Sequence, residues 1–137
     1  MSPGAADSAA TGGASDALRR NKRQQVALCE EFARRYGTDG RVSFYSMHPG
    51  WTDTPGVRSS MPGFYAQLGG RMRTPAEGAD TIVYLALQSA SELQQGAFYL
   101  DRVPESKHLW LAGTAYSKDR VLRLWDTLTG MAGLAKA

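Results

Sequence analysis

The chain has 137 residues, which bounds it to one domain, with a hydrophobic content of 42% that is ordinary for a globular protein. Its formal net charge of +3 is small, and the basic residues are spread along the chain, which argues against a nucleic-acid-binding module. The single cysteine, Cys29, excludes an internal disulfide; with only two histidines it gives no metal-ligand cluster, and no apolar run approaches the ~20 residues of a membrane span.

Residues 1–16 are mostly alanine, glycine and serine with two aspartates. Such a stretch buries too little apolar surface to offset ordering, and it predicts a disordered leader. Thr11-Gly12-Gly13 has no strand before it and no further glycine at the interval a phosphate-binding loop needs. No apolar core follows a basic start, so no secretory signal is read. The lone cysteine fits a reducing compartment, which predicts an intracellular and cytoplasmic protein. A mitochondrial leader is the alternative, and the lack of arginine before Arg19 counts against it.

A helix is predicted from Asp16 or Ala17 to Tyr36, with Asp16 as N-cap. Val26, Cys29, Ala33 and Tyr36 make its apolar stripe, widened by Leu28 and Phe32. Gly37 is placed to end it in the left-handed conformation. Arg19, Arg20, Lys22 and Arg23 then crowd the first turns, where the macrodipole disfavours cations. That leaves a solvated basic face, a helix that is longer at its front, or a nucleic-acid patch.

Val42 to Met47 mixes β-branched, aromatic and small residues on both faces and predicts a strand buried on both sides. Pro49-Gly50 stops it, and Thr52, Asp53 and Thr54 follow its C-terminal end, the edge where open α/β sheets bind ligands. Residues 58–73 read as a surface loop carrying Met61, Phe64, Tyr65 and Met72. Thr74-Pro75-Ala76-Glu77 opens the next helix with a capping box, and Ala79, Ile82, Val83 and Ala86 form its expected buried stripe. Gly96 to Leu100 predicts a second strand, parallel to the first across the helix. Residues 102–115 read as a polar connection. A last helix is predicted from Lys118 to Leu128, capped by Ser117 and ended by Gly130, with Val121, Leu124, Trp125 and Leu128 as its stripe.

His48-Pro49-Gly50-Trp51, Asp53-Thr54-Pro55-Gly56-Val57, Ser60-Met61-Pro62 and Gly78-Ala79-Asp80-Thr81 together resemble the C-terminal half of a short-chain dehydrogenase/reductase, from about Asn21 to Arg123. The resemblance implies an α/β fold, the C-terminal portion of a Rossmann-like doubly wound parallel sheet (helix, strand, helix, strand, helix), occupying residues 17–137 with the front half missing as in a truncated isoform. It implies NAD(P) as cofactor, with Lys22 on the nicotinamide ribose and Pro49, Gly50 and Thr54 at the nicotinamide end. It makes Trp51, Met61, Phe64 and Tyr65 a substrate loop, suited to an apolar, lipid-like carbonyl or alcohol.

Asn21-Lys22 resembles the end of the family's Tyr-x-x-x-Lys signature, whose tyrosine and lysine share one helix face. Here the position four before Lys22 is Leu18, and an aliphatic side chain exchanges no proton. The glycine-rich phosphate loop is also missing. The reading that follows is an oxidoreductase by family whose chain as it stands is inactive. The alternative is a non-catalytic interaction fragment, associating with a second copy or a full-length relative through a sheet edge or the final helix. Tyr116-Ser117-Lys118 looks like the missing signature, but it lies beyond the final strand and is a decoy.

Overall fold

The computed structural model describes residues 5–68, 70–108 and 115–134. Helix α1 spans Ala5–Tyr36 and strand β1 spans Ser46–His48. Two short helices follow, α2 (Pro55–Ser60) and α3 (Pro62–Leu68), then α4 (Pro75–Leu87). Strands β2 (Phe98–Leu100) and β3 (Val103–Glu105) precede the last helix, α5 (Lys118–Met131). The result is an α/β fold around a small three-stranded mixed sheet in the order β1-β2-β3.

The first helix starts well before the expected Asp16 cap, so residues 5–16 are helical where a disordered leader was expected; residues 1–4 lie outside the described residues. The physical reason lies in the alanines at 5, 6, 9, 10 and 14, the best helix formers. Extending a helix already nucleated by packing avoids the cost of a new nucleus, and that offsets the ~1 kcal/mol penalty at each of Gly12 and Gly13. The longer front also moves Arg19, Arg20, Lys22 and Arg23 away from the positive end of the dipole. Gly37 ends the helix without a left-handed φ. A β-carbon there would meet the Gln95 side chain at 2.2 Å and the Ala33 carbonyl oxygen at 2.6 Å, so close approach, not backbone sign, demands the glycine.

Strand β1 is shorter than the predicted 42–47 run and lies at the edge of the sheet, half-buried rather than covered on both faces. It pairs in parallel with β2, Ser46 opposite Phe98 and His48 opposite Leu100, and the crossover between them carries α2, α3 and α4. Strand β3 falls in the expected polar connection 102–115 and turns the expected parallel sheet into a mixed one. It pairs antiparallel to β2 through a two-residue turn, Asp101-Arg102, both with positive φ (52° and 65°). That handedness matches the twist of a tight hairpin. Pro104, which has no N–H to donate, sits on this edge strand. The rest of the expected connection, 109–114, lies outside the described residues.

The core gathers on Tyr99, the most buried large side chain at 1% exposure, with Leu93 and Ala97, and Tyr45, Met47, Tyr84 and Leu85 pack against it. The Tyr99 hydroxyl is satisfied by the Gln94 N–H at 2.8 Å. A second centre joins α1 to α5, where buried Trp125 meets Phe32 edge-on at 4.9 Å and lies under the Arg35 guanidinium at 4.5 Å. Helix α5 starts on Ser117, whose hydroxyl accepts from the Arg120 N–H, as predicted, but continues through Gly130; the left-handed glycine beyond its end is Gly133.

Helix α4 has the predicted capping box of Thr74 and Glu77, but its expected buried stripe faces outward. Ala79, Ile82, Val83 and Ala86 are exposed, while Gly78 and Thr81 are buried and Tyr84 and Leu85 half-buried. Gly78 explains the choice of face. A β-carbon there would lie 2.4 Å from Thr52 Oγ1, so the glycine lets the helix seat against Thr52.

Glu31 is buried on α1, and its carboxylate accepts from Arg34 Nε at 2.9 Å, Arg34 Nη2 at 2.6 Å and Arg35 Nε at 2.5 Å. The Arg34 hydrogen bond, aided by Arg35 and opposed by burial, lowers its pKa to about 2. A carboxylate lowered in the folded state stabilises above its unfolded value and loses that contribution as pH falls toward the folded one. Melting temperature should therefore drop on acidification from about pH 4.5 toward pH 2, and Glu31→Gln should flatten that limb while costing ~1–3 kcal/mol near neutrality. Thermal unfolding followed by circular dichroism across that range checks both.

Candidate functional site

The C-terminal end of β1 opens into a loop that is fastened on several sides. Gly50 has φ +72°, and a β-carbon there would fall 2.6 Å from the Arg73 guanidinium. The Gly50 N–H donates back to His48 Nδ1 at 2.9 Å. Thr52 is buried, donates from Oγ1 to the Pro49 carbonyl at 3.2 Å, and forms a parallel bridge with Arg73. Around that bridge the Asp53 N–H donates to the Arg73 carbonyl and the Arg73 N–H to the Trp51 carbonyl, both at 2.8 Å.

Arg73 is the fastener. Its side chain donates to the Pro49 carbonyl at 3.3 Å and grips Asp101 with both Nη1 (2.5 Å) and Nη2 (2.7 Å), so the exit of β1 is tied to the β2–β3 turn. From the same turn Arg102 grips Asp80 of α4 with two nitrogens, and its backbone N–H donates to buried Thr81 Oγ1 at 3.2 Å. A third fork, Arg58 on Asp53 at 2.7 and 2.8 Å, holds α2 against the loop, and the Tyr65 hydroxyl leans on the same carboxylate at 3.4 Å. Each arginine lowers the pKa of its carboxylate: Arg73 that of Asp101, Arg102 that of Asp80, Arg58 that of Asp53. Such bidentate pairs fix orientation as well as distance.

Residues 58–73, expected as an open loop, begin within α2 and include α3. Thr54 caps α2, its Oγ1 accepting from the Val57 N–H at 3.3 Å, and Pro55 takes the first helical position, the same logic that opens α4. The capping hydroxyl acts as acceptor here, which leaves its own proton free to donate. Trp51, half exposed, packs on Phe64 at 4.4 Å, and His48 stands edge-on to Trp51 at 6.2 Å. The structure thus brings Pro49, Gly50, Trp51, Thr54, Phe64 and Tyr65 into one region, with half-buried Met61 at the end of α2.

Lys22 is exposed on α1, as is Leu18 one turn earlier at 53%. Among the described residues no hydrogen bond or ion pair joins Lys22 to this loop. Among the described residues no glycine-rich turn joins a strand to a helix N-terminus as a dinucleotide's pyrophosphate would require. Gly12 and Gly13 lie inside α1.

The decoy Tyr116 has a structural job. Its hydroxyl donates to Glu30 of α1, which also accepts from Lys107, and Arg23 lies over its ring at 5.6 Å. Burial first, then the Glu30 hydrogen bond, raises the tyrosine's pKa, so it stays protonated. Burial also pushes the half-buried Cys29 thiol up. Among the described residues no three histidine, cysteine, aspartate or glutamate side chains gather for a metal, and no helix is long and apolar enough to cross a membrane.

Sequence reading missed Arg73, Asp101 and Arg102, and it found Asp80 only as part of a family motif, without its arginine partner. Pairs 28 and 22 residues apart leave no local signature. Gly50→Ala should cost ~1–2 kcal/mol, from the left-handed backbone and the displaced guanidinium. Asp101→Asn, which still suits the turn, should leave the melting temperature nearly unchanged. It should make the Asp53 and Arg73 amides exchange several-fold faster, as hydrogen exchange by NMR would register.

The chain is 49% identical over 114 residues to bovine dehydrogenase/reductase SDR family member 12 and 48% identical to the human protein of that name; each match takes in 82% of this chain. It is 29% identical over 116 residues, 83% of its length, to human retinol dehydrogenase 11. The chain spans about a third of the length of the curated relatives it matches, 35% in each of these three. No protein-family model matches it, and no solved structure does.

Proposed function

Over 82% of its length this chain matches a member of the short-chain dehydrogenase/reductase family, the bovine SDR family member 12, and from that premise we propose that it forms the nicotinamide-side and substrate-side portion of an NAD(P)-dependent oxidoreductase. The observation that carries the reading is the loop at the C-terminal end of β1. Gly50 turns at positive φ beneath Arg73, and Thr54 offers a hydroxyl proton at the start of α2. In an α/β sheet that is the edge where a ligand's reactive end is held. Lys22 is assigned to the ribose by family resemblance, and Trp51, Met61, Phe64 and Tyr65 to an apolar substrate wall.

The substrate class is an apolar, lipid-like carbonyl or alcohol. The Trp51–Phe64 contact supports it, as does a relative named for retinol. Proton exchange at the reacting oxygen is not supplied by this stretch, because Leu18 occupies the position of the family's tyrosine. The protein's part in hydride transfer is to orient cofactor against substrate, and the residues present act on orientation only. The free thiol of Cys29 fits a reducing, intracellular setting.

A second reading is a non-catalytic fragment that pairs with another chain of the same family. Two observations favour it. Strand β1 has one side without a partner strand among the described residues, and α4 exposes Ile82, Val83 and Leu87. A parallel strand added at β1 would extend the sheet toward the doubly wound form.

Calorimetric titration of the 137-residue chain with NADPH and NADH, with its mass in solution recorded alongside, separates the two. The first reading expects weak binding that Thr54→Ala reduces several-fold, and no turnover. Absence of binding with self-association that Val83→Asp abolishes supports the second. Turnover of a carbonyl substrate by the chain alone would overturn both.

A further inference from the structure

Between α1 and α5 lies a cavity of about 200 Å³, away from the β1 loop. Arg20, Arg23 and Ala27 share one face of α1 at helical spacing and form one wall; Arg120, Val121 and Leu124 of α5 form the other. Three guanidinium groups from two helices thus open onto one space. Like charges held together repel.

Nothing among the described residues neutralises them. Arg23 donates to the Ala115 carbonyl at 2.7 Å and lies over Tyr116, and neither contact cancels a charge. Arg20 and Arg120 have no carboxylate within ion-pair distance among the described residues, whereas Arg34, Arg35, Arg58, Arg73 and Arg102 each have one. Asp16 pairs with Arg19 and Glu30 with Lys107 and Tyr116, and Asp119, beside Arg120 in sequence, forms no ion pair with any of the three arginines. The floor is apolar, from buried Ala27 and half-buried Val121 and Leu124.

We propose that this cavity binds a small organic anion, a carboxylate or phosphate on a short apolar body. Arg20, Arg23 and Arg120 hold the anion, and Ala27, Val121 and Leu124 cover the body. Guanidinium forks are suited to both oxyanions. The volume lies below the ~300–1,000 Å³ of ordinary ligand pockets, which suits a small ligand, and no residue of the β1 loop lines it. A recess between two helices also fits a soluble molecule better than a membrane surface.

The test titrates the 137-residue chain with phenyl phosphate, by calorimetry and by NMR shifts at residues 20–27 and 120–124. Inorganic phosphate and phosphatidylserine vesicles run in parallel. Expected are single-site binding of phenyl phosphate, severalfold weaker binding of inorganic phosphate, and at least a tenfold loss in the Arg20→Ala/Arg120→Ala double variant. Arg71→Ala, an exposed arginine outside the cavity, should bind as the parent does. Because Arg20, Arg71 and Arg120 are all exposed, these variants should keep the parent far-ultraviolet spectrum, which is recorded first. The proposal is overturned by no binding of phenyl phosphate, by equal binding in the double variant, by an equal loss in Arg71→Ala, by inorganic phosphate binding as tightly, or by binding to vesicles alone.

Discussion

The turn at Asp101-Arg102 is the constraint on which the arrangement of this molecule depends. Two adjacent non-glycine residues sit at positive φ, a conformation that costs energy and persists only when surroundings fix it. Their side chains supply that fixing by reaching in different directions. Asp101 takes Arg73 and with it the exit of β1; Arg102 takes Asp80 and, through its amide, Thr81 of α4. A single hairpin tip thereby joins the sheet, the loop after β1 and the crossover helix. Charge alone would not do this at exposed sites, where ion pairs stabilise little. Geometry does: each fork accepts one orientation of its partner.

Packing and electrostatics divide the work elsewhere along the chain. The apolar core is small, centred on Tyr99, and the strands are three residues each. Much of the remaining order comes from α1, whose buried face alternates small residues with charge that is internally satisfied. Ala27 and Ala33 let neighbours approach, while Glu31 is held by Arg34 and Arg35. Glu30 one residue earlier takes Tyr116 and Lys107, so the approach to α5 is tied back to α1 at two points. Phe32 and Trp125 then close the contact between the two helices.

The outward face of α4 follows from the same economy. A helix with Gly78 and Thr81 on one side and Ile82, Val83 and Leu87 on the other would ordinarily bury the second set. Here the first set is buried, because Gly78 admits Thr52 and Thr81 accepts the Arg102 amide. Close approach and a satisfied hydroxyl decided the orientation, and the aliphatic residues remain on the surface.

What the sequence determined by itself was local and chemical. Thr54-Pro55 and Thr74-Pro75 start helices because cap and proline act within one turn, and Pro49-Gly50 stops a strand for the same reason. The parallel pairing of β1 and β2 followed from strand, helix, strand spacing, and the family resemblance followed from motifs strung along the chain. The tertiary structure decided everything that depends on residues distant in sequence. It set the third strand, the face that α4 buries, and the job of Tyr116 on Glu30. Arg73 reads as one more surface cation in sequence. Only a chain folded back by 28 residues puts Asp101 within its reach, because a hydrogen bond depends on positions in space that local propensity does not encode.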